Sequence, residues 1–375
     1  MNRDLYIKAN ASASTKEWQR PSDWLPMPTN ITSADQIFVG LHAVFESGQN
    51  YCAFSFTTSA GQYQVDWGDG TVTLHNSNTI AQNNYDYTSI SNSTLCSRGY
   101  KQVIIKVTPV SGNLLTCNFQ QRFVTTPAQN QFYTTGFLDC ILSMPNGSYI
   151  TFGGSTIRHS YVERFDVKTI GNVTGMTNMF AGCLSLQSVP LFNTANVTNM
   201  SNMLQSCSSL QSVPLFNTQN VTNMGNVFSN CFSLQSVPLF NTQNVTNMSY
   251  LFANCYSLQS VPLFNTQNVT TMQQMFQSCT SLNFIPNFNT TLVTNFTSFA
   301  SGCNSLDRCT TIFRNSVGLQ NCQLSKDALV EIFTNLTDRT STTSATIDIT
   351  GNWGATALTS ADRLIATNKN FTITG

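Results

Sequence analysis

The sequence predicts a β-rich chain with some helix, built as a small β-sandwich followed by a solenoid of 24-residue coils. Three observations predict it. A unit reading NVTNMSNMLQSCSSLQSVPLFNTQ recurs with near-identical spelling at a 24-residue period. Upstream lie short apolar runs separated by turn residues. The composition, 41% hydrophobic with 26 Phe, supplies a sizeable core. Charged residues make up only 9% of the chain, against about 25% in an average globular protein, so the surface is expected to be polar but nearly uncharged.

The sandwich is expected over residues 33–127. Ala53-Phe-Ser-Phe-Thr57, Tyr63-Gln-Val-Asp-Trp67, Val103-Ile-Ile-Lys-Val107 and Leu114-Leu-Thr-Cys-Asn-Phe119 read as strands. Residues 1–32 carry Trp18, Trp24 and three prolines with little periodicity, too little to form a core alone. They are expected to act as a docking arm, with the two tryptophans tied to the chain's own sandwich or to a partner's surface. Residues 128–170 are expected to cap the start of the solenoid, with Phe137, Leu138, Cys140 and Ile141 facing the stack.

The array covers residues 171–313. Val197, Met200, Met203, Leu204 and Cys207 recur at spacings of three and four, which predicts a short helix. Leu210, Val213, Leu215 and Phe216 suit a brief strand. Helix plus strand in 24 residues is a coil of a leucine-rich solenoid, and each coil depends on its neighbours to bury both faces. Cys183, Cys207, Cys231, Cys255, Cys279 and Cys303 recur at the period. Stacked coils set them about 4.8 Å apart, wider than the ~3.8 Å between Cβ atoms that a disulfide prefers, so reduced packing thiols are expected. Asn193, Asn217, Asn241, Asn265 and Asn289, each followed by Thr, are expected to stack as an amide ladder where the chain leaves the strand. Residues 314–375 are expected to form a C-terminal leucine-rich cap: Ser325 caps a helix, 345–352 forms a strand and asparagine turn, Thr359 and Asp362 open a second helix, and 371–374 closes as a strand.

Two resemblances follow from these residues. The unit VTNM-x-x-MF-x-x-C-x-SL-x-x-VP-x-FNT resembles the BspA-type leucine-rich repeats of bacterial surface proteins and some phage virion proteins, over roughly 140 residues. The resemblance implies the fold and an exposed, adhesive setting, but no particular ligand. Val65-Asp-Trp-Gly-Asp-Gly-Thr71, Tyr85-Asp-Tyr87 and Gly99-Tyr-Lys-Gln-Val103 resemble the PKD domain, an immunoglobulin-like sandwich.

A formal net charge of zero, from 17 basic and 17 acidic residues, offers no field to collect nucleic acid or anionic lipid. No stretch reaches membrane-span length, so no membrane insertion is expected. His42, His75 and His159 fall in no recognisable catalytic or metal constellation, and neither a cofactor motif nor an enzyme is expected. Asp66 and Asp69 come closest to a metal site, since paired acids in a turn can hold calcium, although an Asp-Gly hairpin turn explains them as well. Binding is expected on the solenoid's concave face, where Gln187, Ser188, Gln211, Ser212, Gln235, Ser236, Gln259 and Ser260, then Asn283 and Phe284, point away from the core; Phe232 and Tyr256 offer aromatic contacts for sugars. The bland alternative is recently duplicated spacer.

Exterior composition without the apolar stretch of a secretory signal predicts a virion-surface protein, a phage head or tail decoration or fibre component. Its expected partners are other virion structural proteins and a host-surface glycan or protein, with a homo-oligomer, a trimer by analogy with viral fibres. The alternatives are a bacterial cell-surface adhesin and an assembly subunit with no receptor.

Overall fold

The structure is a computed structural model, which describes residues 18–47, 50–124, 131–133, 136–154 and 159–375. The chain divides into two compact units, 1–196 and 197–375.

The first unit holds two facing sheets. The strands of one are β1 (Ile37–Val44), β3 (Gln62–Asp66), β4 (Val72–Asn76), β6 (Lys101–Pro109), β10 (Phe137–Met144) and β12 (Arg164–Ile170), in the order β12-β10-β1-β6-β3-β4. The other comprises β2 (Tyr51–Thr58), β5 (Ile80–Asn84), β7 (Leu114–Asn118) and β11 (Tyr149–Thr151), in the order β11-β7-β2-β5. A small antiparallel ribbon, β8 (Arg122–Val124) with β9 (Gln131–Tyr133), stands beside them. The core between the sheets is aromatic, because β-strands accept bulky rings that interlock across a sandwich. Phe38 packs against Phe54, Phe56, Phe119 and Phe137, with ring centroids 4.7–6.5 Å apart.

Nearly all of β1 is buried, a pattern no one-sided strand shows. The reason is the arm. Trp24 is 3% exposed and packs with Leu41, Ala43, Tyr100 and Leu138 on the outer face of the sheet. Its indole donates to the Tyr100 hydroxyl (3.0 Å), and the Trp18 indole donates to Glu163 (3.0 Å). Arg20 pairs with buried Asp139 (2.9 Å). The two tryptophans are therefore structural staples of their own sandwich, the first of the two settings expected for the arm.

The expected cap at 128–170 is reassigned. Its β10 pairs antiparallel with β1, and β12 runs parallel to β10, so both complete the first sheet. With burial on both faces, β10 follows the rule for interior strands rather than for a cap edge. The first coil then continues from this sheet within the same unit: Arg164 bridges in parallel to Ser188, and Phe152 and Gly153 donate to the Met179 carbonyl. A Cβ at Gly153 would lie 2.2 Å from the Ala181 carbonyl oxygen, so only glycine permits this approach.

In the second unit the coils form a β-solenoid with almost no regular secondary structure and no α-helix between residues 197 and 325. This corrects the helical half of the expected α/β coil. The one regular pairing in this stretch is late, where β13 (Phe284–Ile285) lies parallel to β14 (Arg308–Cys309). Met203, Gln205, Cys207 and Leu210 N–H groups donate three residues back, whereas those of Met200, Asn202, Leu204 and Ser206 donate to Asn223, Gly225, Val227 and Ser229 of the next coil (2.7–3.1 Å). Left-handed residues recur at Asn202 and Ser206, Asn226 and Asn230, Tyr250 and Asn254, and Gln274 and Ser278. Each turns the chain and aims the donor at the adjoining coil, which no α-helix allows.

The core is a set of columns. Phe228, Phe252 and Phe276 stack at 5.6 and 5.8 Å with nearly parallel rings. The cysteines are free and buried. Three successive thiols of the array bond to a carbonyl of the preceding coil: Cys231 to Leu204, Cys255 to Phe228 and Cys279 to Phe252, all at 3.1 Å. Burial pushes the Cys231 thiol up to about 12, so the file is chemically quiet.

The expected amide ladder is distributed differently. Asn241, Asn265 and Asn289 are exposed and accept from the backbone N–H two residues on, shaping the turn. The following threonine is the buried link: Thr218, Thr242 and Thr266 donate to Asn241, Asn265 and Asn289 carbonyls at 2.8 Å. Side-chain amides do bond between coils elsewhere, Asn247 to Asn223 (3.1 Å) and Asn254 to Asn230 (2.8 Å).

Beyond the array, α1 (Lys326–Asn335) is capped by Ser325, and α2 (Ser360–Thr367) carries the Thr359–Asp362 capping box. Three short strands, β15 (Val317–Gly318), β16 (Ala345–Asp348) and β17 (Phe371–Thr374), lie parallel. Buried Asn352 accepts from Leu324 N and donates to the Leu319 and Ile349 carbonyls.

Candidate functional site

The acidic turn is the nearest approach to a metal site. Asp66 accepts from Gly68 N (3.0 Å); Asp69 accepts from Thr71 N and Oγ1 through one oxygen and from Asn83 through the other. Against the cost of partial burial, the Thr71 and Asn83 bonds hold the Asp69 carboxyl below its usual range. These acids shape the turn, and the turn packs closely: a Cβ on Gly68 would lie 2.5 Å from the Ile104 carbonyl. Among the described residues no three His, Cys, Asp or Glu side chains gather as metal ligands. No described helix is long and apolar enough to cross a membrane.

His42 and His159 sit among Phe137, Phe152 and Tyr85 rings, fully buried. Desolvation lowers them to about 3 and about 4, the charge of His159 adding to the cost at His42. They are neutral core groups. His75 stacks on Tyr63 (5.4 Å) and bonds to Thr73 (2.8 Å). A polar cleft of about 530 Å³ lies in the sandwich, lined by Glu46, Tyr51, Tyr85, Tyr87 and Lys101. The Lys101 ammonium is already committed, to the Tyr87 and Ile90 carbonyls and over the Tyr87 ring at 4.3 Å.

The remaining candidate is the outer arc of each coil from the cysteine to the Asn-Thr pair. Parallel bonds between coils hold it in register: Gln235 N to Gln211 O (3.3 Å), Gln259 N to Gln235 O (3.1 Å), Ser257 N to Phe232 O (3.2 Å). In consequence Gln235, Ser236, Gln259 and Ser260 are exposed in files, with Ser212 exposed and Gln211 half-buried beside them. Gln187 and Ser188 occupy the same positions in the coil of the first unit, half-buried and exposed respectively. Phe284 continues the serine file as an exposed aromatic, and pairs through its backbone with Arg308.

Phe232 and Tyr256 are 39% and 42% exposed and stack on each other, centroids 4.9 Å apart with planes 12° from parallel. The equivalent positions on either side carry Ser208 and Thr280, side chains too small to cover the outward ring faces. The Thr280 hydroxyl is turned back onto the Tyr256 carbonyl (3.2 Å).

The arc holds one column that spacing alone does not place. Leu215, Leu239 and Leu263 are 58–61% exposed, although Leu215 belongs to the apolar run expected as the strand. The available signal is local: in an extended segment Leu215 and Phe216 cannot both point inward. Of the large apolar side chains exposed in residues 197–375, only Leu292, Trp353 and Leu364 lie elsewhere. No Asp, Glu, Lys, Arg or His occurs between Lys168 and Asp307. The arc is thus amphipathic, repetitive and without charge.

The match to a known protein family concerns this repeat region. Residues 150–262 and 232–317 match a family described as Mycoplasma protein of unknown function, DUF285. Among solved structures, a leucine-rich repeat protein from Eubacterium ventriosum matches over 49% of this chain at 18% identity, with a TM-score of 0.33. The match spans half the length of that protein. No match is found among curated proteins. Over its repeats, then, the chain is similar to the DUF285 family, and its coils form a β-solenoid.

Proposed function

We propose that this is a non-enzymatic display protein that adheres through the outer arc of its solenoid to a glycan or protein on a host surface. The single observation that supports this reading is the arc itself: exposed apolar and amide columns, held in register by bonds between coils, over a stretch without one charged residue. Exposed apolar residues concentrated on one face mark an interaction surface more often than scattered ones do. The stiff columnar core suits a module that presents a surface rather than one that closes around a substrate.

The setting we propose is the exterior of a phage virion, as a head or tail decoration or fibre component held by other virion structural proteins. The alternative is a bacterial cell surface. Two measurements test the reading. Purified chain labelled at Gly375 should bind intact host cells saturably, and antibody to the solenoid should decorate purified phage particles. Saturable adhesion without decoration moves the protein to the cell surface. Decoration without adhesion leaves an assembly subunit and overturns the adhesive role.

A further inference from the structure

Resting on the adhesive reading above, we infer that the arc around Phe232 and Tyr256 binds a linear, uncharged polysaccharide. The argument begins with charge. An anionic polymer brought against this face would lose water and gain no cation, because no Lys, Arg or His lies between Lys168 and Asp307. A typical protein surface, about a quarter charged, faces the same penalty at each desolvated ion. A neutral glycan incurs none of it, since its hydroxyls both donate and accept, as do the amides of Gln235 and Gln259 and the hydroxyls of Ser236 and Ser260 beside them.

The aromatic pair supplies the second half. The ring faces carry the negative side of the aromatic quadrupole, to which the weakly positive C–H face of a pyranose is complementary. Phe232 and Tyr256 use one face each on one another. Their outer faces look toward Ser208 and Thr280. The pair therefore offers two stacking positions in line with the coil axis, one at each end of a two-ring ridge. A polymer whose sugars repeat along one direction can occupy both while its hydroxyls meet the amide file. Gln259 N and Ser257 N, bonded to the coil before, keep file and ridge in register.

The test uses the full chain in native gels cast with dextran, mannan, galactomannan or xyloglucan as neutral probes, and with polygalacturonate or hyaluronan as charged ones. Expected is retardation by at least one neutral probe, unchanged as salt is raised because no ion pair is screened. Phe232→Ala and Tyr256→Ala should each weaken it about tenfold, in keeping with the loss of one stacking partner. Leu364→Ser, exposed on α2 and outside the arc, should change it less than about twofold. All three positions are exposed, and a melting curve for each variant confirms the fold.

Retardation by the charged probes alone, or neutral binding that survives both aromatic replacements, overturns the inference. So does a lack of neutral binding while host-cell adhesion persists; in that case the adhesive reading stands and its partner is a protein. If the wild-type chain neither adheres to cells nor binds any neutral probe, both readings fall.

Discussion

The two units solve the problem of specifying one structure in opposite ways. The sandwich relies on unlike, singular contacts: Asp139 is buried between Arg20 and Arg164, Glu163 takes both the Trp18 indole and Arg98, and buried Lys101 donates to the Tyr87 and Ile90 carbonyls. Each such group is costly if left unpaired, so a wrong register is penalised. The solenoid has no such devices between Lys168 and Asp307. Its register comes from repetition, since a coil shifted by a few residues would break the Phe, Cys and Thr columns together. A fold specified by rare polar contacts should be sensitive to pH, whereas one specified by columns should be sensitive to cavities.

The largest effect expected from that contrast is acid sensitivity confined to the sandwich. His42 and His159 titrate near 6.5 when unfolded but only near 3 and 4 in the fold. Below 6.5 the unfolded chain binds more protons, and stability is lost as pH falls toward the folded values. By pH 4 this amounts to about 3 kcal/mol per histidine, since each tenfold loss of proton affinity on folding is worth about 1.4 kcal/mol. Asp139, raised by burial against the pull of Arg20 and Arg164, works in the opposite sense and offsets a part. Thermal unfolding followed by fluorescence of Trp18, Trp24 and Trp67 should drop steeply between pH 7 and 4, while a second, array-associated transition stays in place. Parallel decline of both would remove the distinction.

Next in size is a cavity in the array. Phe252 is stacked on both sides by Phe228 and Phe276, and Phe252→Ala should cost about 3–5 kcal/mol. Because neighbouring coils lose a wall, urea unfolding of the array should shift as a whole; a loss under about 1 kcal/mol would show that coils tolerate gaps singly. In the sandwich, Arg20→Met leaves Asp139 with Arg164 alone, at 3.6 Å. Since Arg20 is partly exposed, the expected cost at pH 7 is about 2 kcal/mol, smaller at pH 5 where the acid takes a proton more readily. A penalty independent of pH would point to lost packing instead.

The smallest effect sharpens the account of the coil. Gln274 holds a left-handed backbone where coils two and three carry Asn202 and Asn226. Gln274→Gly should raise stability by about 1 kcal/mol, and Asn226→Val should lower it by about 1–2 kcal/mol. Circular dichroism should keep its helix-poor form in both. If Asn226→Val were neutral, the left-handed turns would not be what closes the coil.

How far the chain can be read from its spelling varies with the kind of information involved. The period, the cysteine file, the strands around Phe54, Val65 and Ile105, and the caps at Ser325 and Thr359 are legible, because each follows from local spacing or from a residue's own hydrogen-bonding habit. The helix expected in each coil is absent, since Met200, Met203, Leu204 and Cys207 have the same spacing in a helix and in a run of left-handed turns. The recurring Asn and Ser at the turn positions are the clue. At the candidate site the amide files and the Phe232–Tyr256 pair are legible as variable or repeated outward positions. The exposed leucines are not, because a hydrophobic residue in an apolar run looks buried until its neighbour is seen to take the inward direction.

By itself the sequence determined that equivalent side chains would stack, since identical segments at a fixed interval have one way to bury their apolar positions together. It also determined that nothing ionic would decorate the array, which is a matter of composition. Only the tertiary structure decided where Trp24 and β10 belong, because both bury against β1, the strand reaching it across the whole span from Val44 to Phe137 and the tryptophan on an arm that turns back over the sheet. Contacts between such separate segments depend on the free energy of the whole assembly, and no window of neighbouring residues carries that quantity.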